Sequence, residues 1–340
     1  MRQRRKGDMN EWQDVAEDVK GRAGPGMVHT YSIVALDEET RQMGVAVQSR
    51  AFCVGSLVPW GEPGVGVVAT QASVDVSYGP LGLALMRAGK SATESLTGLV
   101  AADSRANVRQ VAMLDAQGDV AVHTGKDCMD AAGHRAGNCF SAQANLMLKS
   151  TVWGAMGEAF EAAEGDLAER LLVALEAAEG EGGDIRGKQS AALLVVSGDG
   201  SAKPGYGREV DLRVDDHPKP LVELRRLLRL SRAARRWHAA TEVLREDPVA
   251  EGSLHWALGE YDRALSLLDR DADIAEVSFW KAVTLLHLDE REEALALFRF
   301  VFGVEPAWRH VIPRLVPVGI LQDDPTLVER IMGLDSTHRS

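Results

Sequence analysis

Cysteine is scarce in this chain: Cys53, Cys128 and Cys139 are an odd number with no C-x-x-C pair among them. That excludes a disulfide framework and a thioredoxin-like dithiol, and the three read as reduced thiols of a cytoplasmic protein. Long apolar runs are lacking as well. No stretch reaches the roughly 20 residues of a membrane-spanning helix, and the basic N-terminus has no apolar core behind it to make a secretory signal. Positive charge is in deficit, with 38 Lys and Arg against 50 Asp and Glu and a formal net charge of −12. Sequence-independent binding to phosphate backbones needs a basic surface, so neither nucleic acid nor membrane is expected as a partner. The cluster Arg2, Arg4, Arg5 and Lys6 is too short to change that. Familiar catalytic signatures are missing too: there is no phosphate loop, dinucleotide fingerprint, zincin helix or G-x-S-x-G elbow. His123, His134 and His217 stand singly, without ligand spacing, and neither a metal nor a cofactor is expected.

What is there is the composition of an ordinary globular protein, 45% hydrophobic and 26% charged over 340 residues, enough for two domains. Residues 1–26 are polar and end in the breaker-rich run Gly21-Arg-Ala-Gly-Pro-Gly26. They read either as a disordered tail or as an extension created by a mis-assigned start, with Met27 or Met9 as the true one.

From Met27 to residue 219 the pattern predicts strands, two helices, strands, two helices and strands. The strands are Tyr31–Leu36, Met43–Val47, Val54–Val58 and Val65–Thr70, then the hairpin Val111–Asp115 with Val120–Thr124, then Ser141–Leu148 after a Gly-rich loop, and finally Ala191–Ser197 and Val210–Val214. The helices are Leu81–Ala88, a second one opened by the capping box Ser91/Glu94, and a pair over about 151–163 and 166–179. Grouped strands and grouped helices indicate an α+β domain, a two-sheet sandwich with helix pairs outside, rather than an alternating doubly wound sheet. From Pro220 to residue 340 only helices are predicted. Leu258-Gly-Glu-Tyr-Asp-Arg-Ala-Leu265 and Leu288-Asp-Glu-Arg-Glu-Glu-Ala-Leu295 resemble a degenerate tetratricopeptide pair, with generic packed helices as the alternative. Such hairpins would offer a groove to a protein partner.

Polar residues gather at strand ends: Gln48-Ser49-Arg50, Thr70-Gln71, Gln143-x-Asn145 and Asp215-Asp216-His217. Gly183-Asp184-Ile-Arg186-Gly-Lys-Gln189-Ser190 directly precedes an apolar strand. Strand ends meeting at one edge of a sandwich would build a concave polar site, and a local turn with an Asp184–Arg186 ion pair is the plainer alternative.

The ordered series Thr30-Tyr-Ser-Ile-Val-Ala, Gly44-Val-Ala-Val-Gln-Ser-Arg50, Val54-Gly-Ser-Leu-Val-Pro59, Gly66-Val-Val-Ala-Thr-Gln71, Tyr78-Gly-Pro-Leu-Gly82, Gly182-Gly-Asp-Ile-Arg-Gly187 and Val210-Asp-Leu-Arg-Val-Asp-Asp-His217 resembles the bacterial domain-of-unknown-function family numbered 1028 over about residues 28–230. The resemblance implies a four-layer αββα sandwich of the N-terminal nucleophile (Ntn) hydrolase kind and hydrolysis of amide or other C–N bonds in a small molecule. It places Thr30 as nucleophile, activated by its own α-amine once it is the first residue. Gln71 or Asn145 with backbone N–H groups would stabilise the oxyanion, Arg50 and Arg186 would hold a substrate carboxylate bordered by Gln189 and Ser190, and Asp184 would orient an arginine or the α-amine.

The chain departs from that pattern at three places. Val28 and His29 separate Thr30 from Met27, Gln48 stands where proteasome-type relatives carry an acid, and the following strand has no lysine. Exposure of Thr30 therefore needs self-cleavage or another protease, and otherwise Ser32 or Cys53 is the nucleophile, although Cys53 fits a small hydrophobe in a buried strand. An inactive module that senses a small anion is the alternative on the same fold, and homo-oligomerisation is compatible with either.

Overall fold

A computed structural model describes residues 27–201, 206–246 and 250–335, and the extension 1–26 lies outside them. The chain forms two compact units that divide between Arg225 and Arg226.

The first unit is a mixed α+β domain with two antiparallel sheets. One sheet has the order β1 (Met27–Val28), β5 (Gly66–Ser73), β6 (Arg109–Asp115), β7 (Val120–Thr124), with β4 (Pro59–Glu62) also on β5. The other runs β11 (Arg208–Val214), β10 (Ser190–Val196), β3 (Met43–Ser49), β2 (Thr30–Leu36), β9 (Phe140–Ala144), β8 (Gly133–Gly137). Successive side chains of a strand point to opposite faces, so each strand contributes to two layers. Val34, Val45 and Val47 of the second sheet meet Val67, Ala69, Ala112 and Leu114 of the first in one aliphatic core. Helices α1 (Tyr78–Arg87) and α2 (Ala92–Ala102) cover the outer face of the first sheet, where Leu83, Met86 and Leu96 pack on Val68, Val111 and Met113. Helices α3 (Val152–Ala162) and α4 (Leu167–Gly180) pack against the second sheet. Leu171 of α4 comes so close to β3 that a Cβ on Gly44 would lie 2.5 Å from its Cδ1, which is why that strand carries glycine there. The predicted capping box forms, with Ser91 and Glu94 each accepting the other's backbone N–H.

Three expectations differ, the simplest being that the strand expected over Ser141–Leu148 stops at Ala144. Val54–Val58 is not a strand: Val54–Ser56 is a 3-10 turn entered from Cys53 at φ 54°, and the strand comes later, at Pro59–Glu62. The turn wins because Cys53 N donates to Asp215 O (3.1 Å) and Val54 N to Ser190 Oγ (3.0 Å), partners no ladder there would give. Cys53 is thus half-buried in a turn rather than buried in a strand. The Gly-rich loop after β7 contains β8, whose Gly133 admits Trp153; a Cβ there would sit 2.5 Å from its ring.

The second unit is all-helical. The end of α5 (Pro220–Glu246) leads into α6 (Glu251–Leu265), α7 (Asp271–His287) and α8 (Arg291–Val304), around a core of Phe279, Phe298 and Phe302. Leu258–Leu265 lies wholly inside α6, whereas Leu288–Leu295 spans the turn between α7 and α8. The two similar octapeptides therefore occupy different settings.

A chain ending after Arg236 is expected to keep one cooperative unfolding transition. The two aliphatic cores that involve the first sheet hold no residue beyond Val196, and Arg225 pins the start of α5 to Glu176 of α4 at 2.7 Å. Calorimetry of that shortened chain checks this; a molten product would mean that the helical unit completes the first core.

Candidate functional site

At the end of the sandwich where β2 begins, the interface between the sheets changes from aliphatic to amide. Ser32, Gln71, Gln110, Gln143 and Asn145 are all fully buried there, each requiring partners inside the protein. Their orientation follows from two backbone carbonyls. Gln110 Nε2 donates to Gly133 O (3.1 Å), Ala144 O (3.0 Å) and Thr124 Oγ1 (3.0 Å), so its Oε1 faces inward. That oxygen accepts from Gln71 Nε2 (2.7 Å) and Asn145 Nδ2 (2.9 Å). Gln71 Oε1 is then free to accept from Ser32 Oγ (2.7 Å), whose oxygen accepts from Gln143 Nε2 (3.2 Å). Asn145 Oδ1, pointing the other way, meets His29 Nδ1 at 3.1 Å, so the imidazole proton sits on Nδ1. Burial lowers the His29 pKa, with the Asn145 bond opposing it, and the ring is neutral at pH 7.

Two successive carbonyls are the focus of this cluster. Thr30 O accepts from Asn145 N (3.1 Å), Gln71 Nε2 (3.2 Å) and Asn145 Nδ2 (3.4 Å). His29 O accepts from Ser49 Oγ (2.6 Å) and Arg186 Nη2 (3.0 Å). Thr30 itself is fully buried.

Arg186 is held by Asp184, which is locked in turn. Gly182 and Gly183, both at positive φ (111° and 56°), end α4 and turn the chain back along the segment after β9. There Leu148 N donates to Gly183 O (2.9 Å) and Met147 bridges Asp184. Asp184 Oδ1 accepts from Arg186 N (2.9 Å) and Nε (3.0 Å); Oδ2 accepts from Arg186 Nη2 (2.7 Å) and Arg50 N (3.1 Å). The local ion pair is real, and through it the arginine reaches the residue before Thr30.

The remaining sequence-predicted residues fall outside this focus. The exposed Arg50 guanidinium bonds Gln189 Oε1, and Gln189 Nε2 donates to Asp216 Oδ1 (3.0 Å). Ser190 Oγ donates to Ala51 O and accepts from Val54 N, which fixes the turn after β3. His29, Ser49 as a donor, Gln110 and Tyr31 were not singled out by sequence reasoning. Tyr31 points to the helical side, where its hydroxyl meets Gln48 and Glu179 Oε2 (3.1 Å), and the Gln48 amide faces Glu179 at 2.9 Å. Burial first, then the Glu179 carboxylate, raises the Tyr31 pKa, so the phenol stays protonated. A cleft of about 310 Å³ lined by Glu176, Glu179, Lys188, Lys219 and Leu221 shares Glu179 with that Tyr31 contact. Among the described residues, no three His, Cys, Asp or Glu side chains gather as a metal site, and no helix is long and apolar enough to cross a membrane.

Gln110→Ala is expected to cost about 3 kcal/mol or more, because it strips the acceptor from two buried amides and opens a void. Urea denaturation checks it; a cost below about 1 kcal/mol would mean that water replaces the lost side chain.

No curated protein matches the chain. Among solved structures it is similar to the crystal structure of protein SPO2555 from Silicibacter pomeroyi, assigned to DUF1028. The two share 34% identity with a TM-score of 0.53, over 59% of this chain and 88% of that one. The model of DUF1028, a family of unknown function, matches residues 30–224, and the chain belongs to that family.

Proposed function

We propose that the first unit is an amide hydrolase of the N-terminal nucleophile type, in which Thr30 becomes the first residue by scission of the His29–Thr30 bond. The order helix pair, sheet, sheet, helix pair supports reading it as an αββα sandwich of that kind. The observation that carries the proposal is the pair of donors on His29 O, at 2.6 Å from Ser49 Oγ and 3.0 Å from Arg186 Nη2. A hydroxyl and a guanidinium aimed at one carbonyl polarise it and stabilise the oxyanion formed when a nucleophile adds. The Thr30 oxygen adds to the His29 carbonyl carbon and the C–N bond breaks. The hydroxyl proton ends on the released amine, leaving an ester. Water then hydrolyses the ester, giving a His29 carboxylate and a free Thr30 hydroxyl beside a free amine.

A substrate amide would next occupy the place of that carbonyl, with the α-amine, of pKa about 8, as base. This assigns the oxyanion to Ser49 and Arg186. Gln71 and Asn145 Nδ2 instead hold the Thr30 carbonyl, which stays after scission, and so position the nucleophile's residue. Arg50, on the exposed side with Gln189, is left to meet a substrate carboxylate. Gln48, an amide in place of an acid, favours a second reading as an inactive binding module; ligand-dependent thermal stabilisation without turnover would support it.

Intact mass of the protein from its own cells, with assays on N-acyl, N-carbamoyl and cyclic amides, tests the proposal. The expected species begins at Thr30 and turns over an amide. Turnover by a chain that keeps His29 would sink the mechanism.

A further inference from the structure

The three residues ahead of Thr30 are seated as a ligand would be. Met27 and Val28 pair antiparallel with Ser73 and Ala72 of β5, adding a two-residue strand to the edge that β4 also uses. His29 follows, only 6% exposed, with its carbonyl gripped by Ser49 and Arg186. Among the described residues its side chain makes a directed contact to Asn145 Oδ1. That oxygen cannot rotate away: Asn145 Nδ2 is committed to Gln110 Oε1, and Gln110 is fixed by the carbonyls of Gly133 and Ala144. Departure of residues 27–29 would leave an acceptor on a fully buried side chain. A buried acceptor without a donor is costly, so a site built around one rejects ligands that cannot supply it.

We infer that the space held by residues 27–29 is the acyl-side substrate site, taking an extended peptidyl or N-acyl amide whose carbonyl-bearing residue presents an N–H donor to Asn145 Oδ1. Histidine, which the chain itself places there, fits that requirement. The inference rests on the reading of Thr30 as nucleophile. It adds the substrate class: backbone addition to β5 supplies affinity, and the donor at the last acyl residue supplies selectivity. It also makes the chain's own leader an occupant that competes with substrate until it is released.

Two measurements separate the inference from the hydrolytic reading. In the full chain carrying Thr30→Ala, which cannot release the leader, hydrogen exchange is followed at the amides of residues 28–30. His29→Phe is expected to speed exchange at least tenfold, and His29→Gln, which keeps an N–H donor, to change it little. Equal acceleration by both, or by neither, overturns the inference. In the chain starting at Thr30, which keeps every residue of the two aliphatic cores around the first sheet, acetyl-Met-Val-His and acetyl-Met-Val-Phe anilides are compared. The His compound is expected to have a kcat/KM at least tenfold higher, equivalent to about 1.4 kcal/mol. Equal rates overturn the inference and leave the hydrolase standing. No turnover of either anilide, with the exchange contrast intact, sinks the hydrolase and leaves the donor-reading site supported.

Discussion

A chain beginning at Thr30 is expected to hydrolyse small amides while the form that keeps residues 1–29 is inert, and Thr30→Ala in the shorter chain is expected to lower kcat/KM by roughly 10³-fold or more. A peptide-bonded nitrogen is not basic, so in the intact chain the Thr30 nitrogen cannot act as base to its own hydroxyl. The intact chain also keeps its own His29 carbonyl on the two donors that a substrate needs. Activity should rise with pH with a midpoint near 8, as the α-amine loses its proton. Activity that survives Thr30→Ala would move suspicion to Ser32 or Cys53, and the structure weakens both. The Ser32 hydroxyl donates to Gln71 Oε1 inside the amide relay. Partial burial and the nearby Asp215 carboxylate push the Cys53 thiol up, away from the nucleophilic thiolate.

Much of this was legible because sheet periodicity is a local property. The aliphatic alternation of β2, β3, β5, β6 and β10 and the Ser91/Glu94 box stand in the sequence, and the helix pairs follow from apolar spacing. Val54–Val58 misled because its turn is imposed by partners at Ser190 and Asp215, more than a hundred residues on. Gly133–Gly137 was illegible as a strand because it joins the sheet through backbone and packing that needs the absence of a side chain. The candidate site divides in the same way. Asp184, Arg186, Asn145 and Gln71 could be found as polar residues at strand ends. Gln110 could not, since it lies one residue into a strand that reads as apolar from Val111 on, and its role exists only where two sheets meet. His29 looked like an interruption between Met27 and Thr30. Its 6% exposure and its bond to Asn145 are visible only in the structure.

Asp184→Asn is expected to reduce both stability and turnover, and the two losses are separable. The carboxylate accepts four N–H bonds, from Arg50 N and from Arg186 N, Nε and Nη2, while its own side chain is fully buried and that of Arg186 is one-third exposed. Asparagine keeps the volume but turns an NH2 toward donors and leaves the guanidinium without its counter-charge. That should cost about 2–4 kcal/mol, a fall in Tm of roughly 4–16 °C for a unit of this size. Arg186 would then no longer be held against the carbonyl position marked by His29 O, and loss of one oxyanion donor lowers kcat by roughly 10²-fold or more. Rates measured well below the lowered Tm, on amides with and without a carboxylate, isolate the second effect. A positioning role predicts a fall in kcat with KM nearly unchanged on the uncharged amide. If instead Tm drops while kcat/KM holds on both substrates, Asp184 is a latch for the Gly182–Gly187 loop and the donor pair on the carbonyl reduces to Ser49 alone.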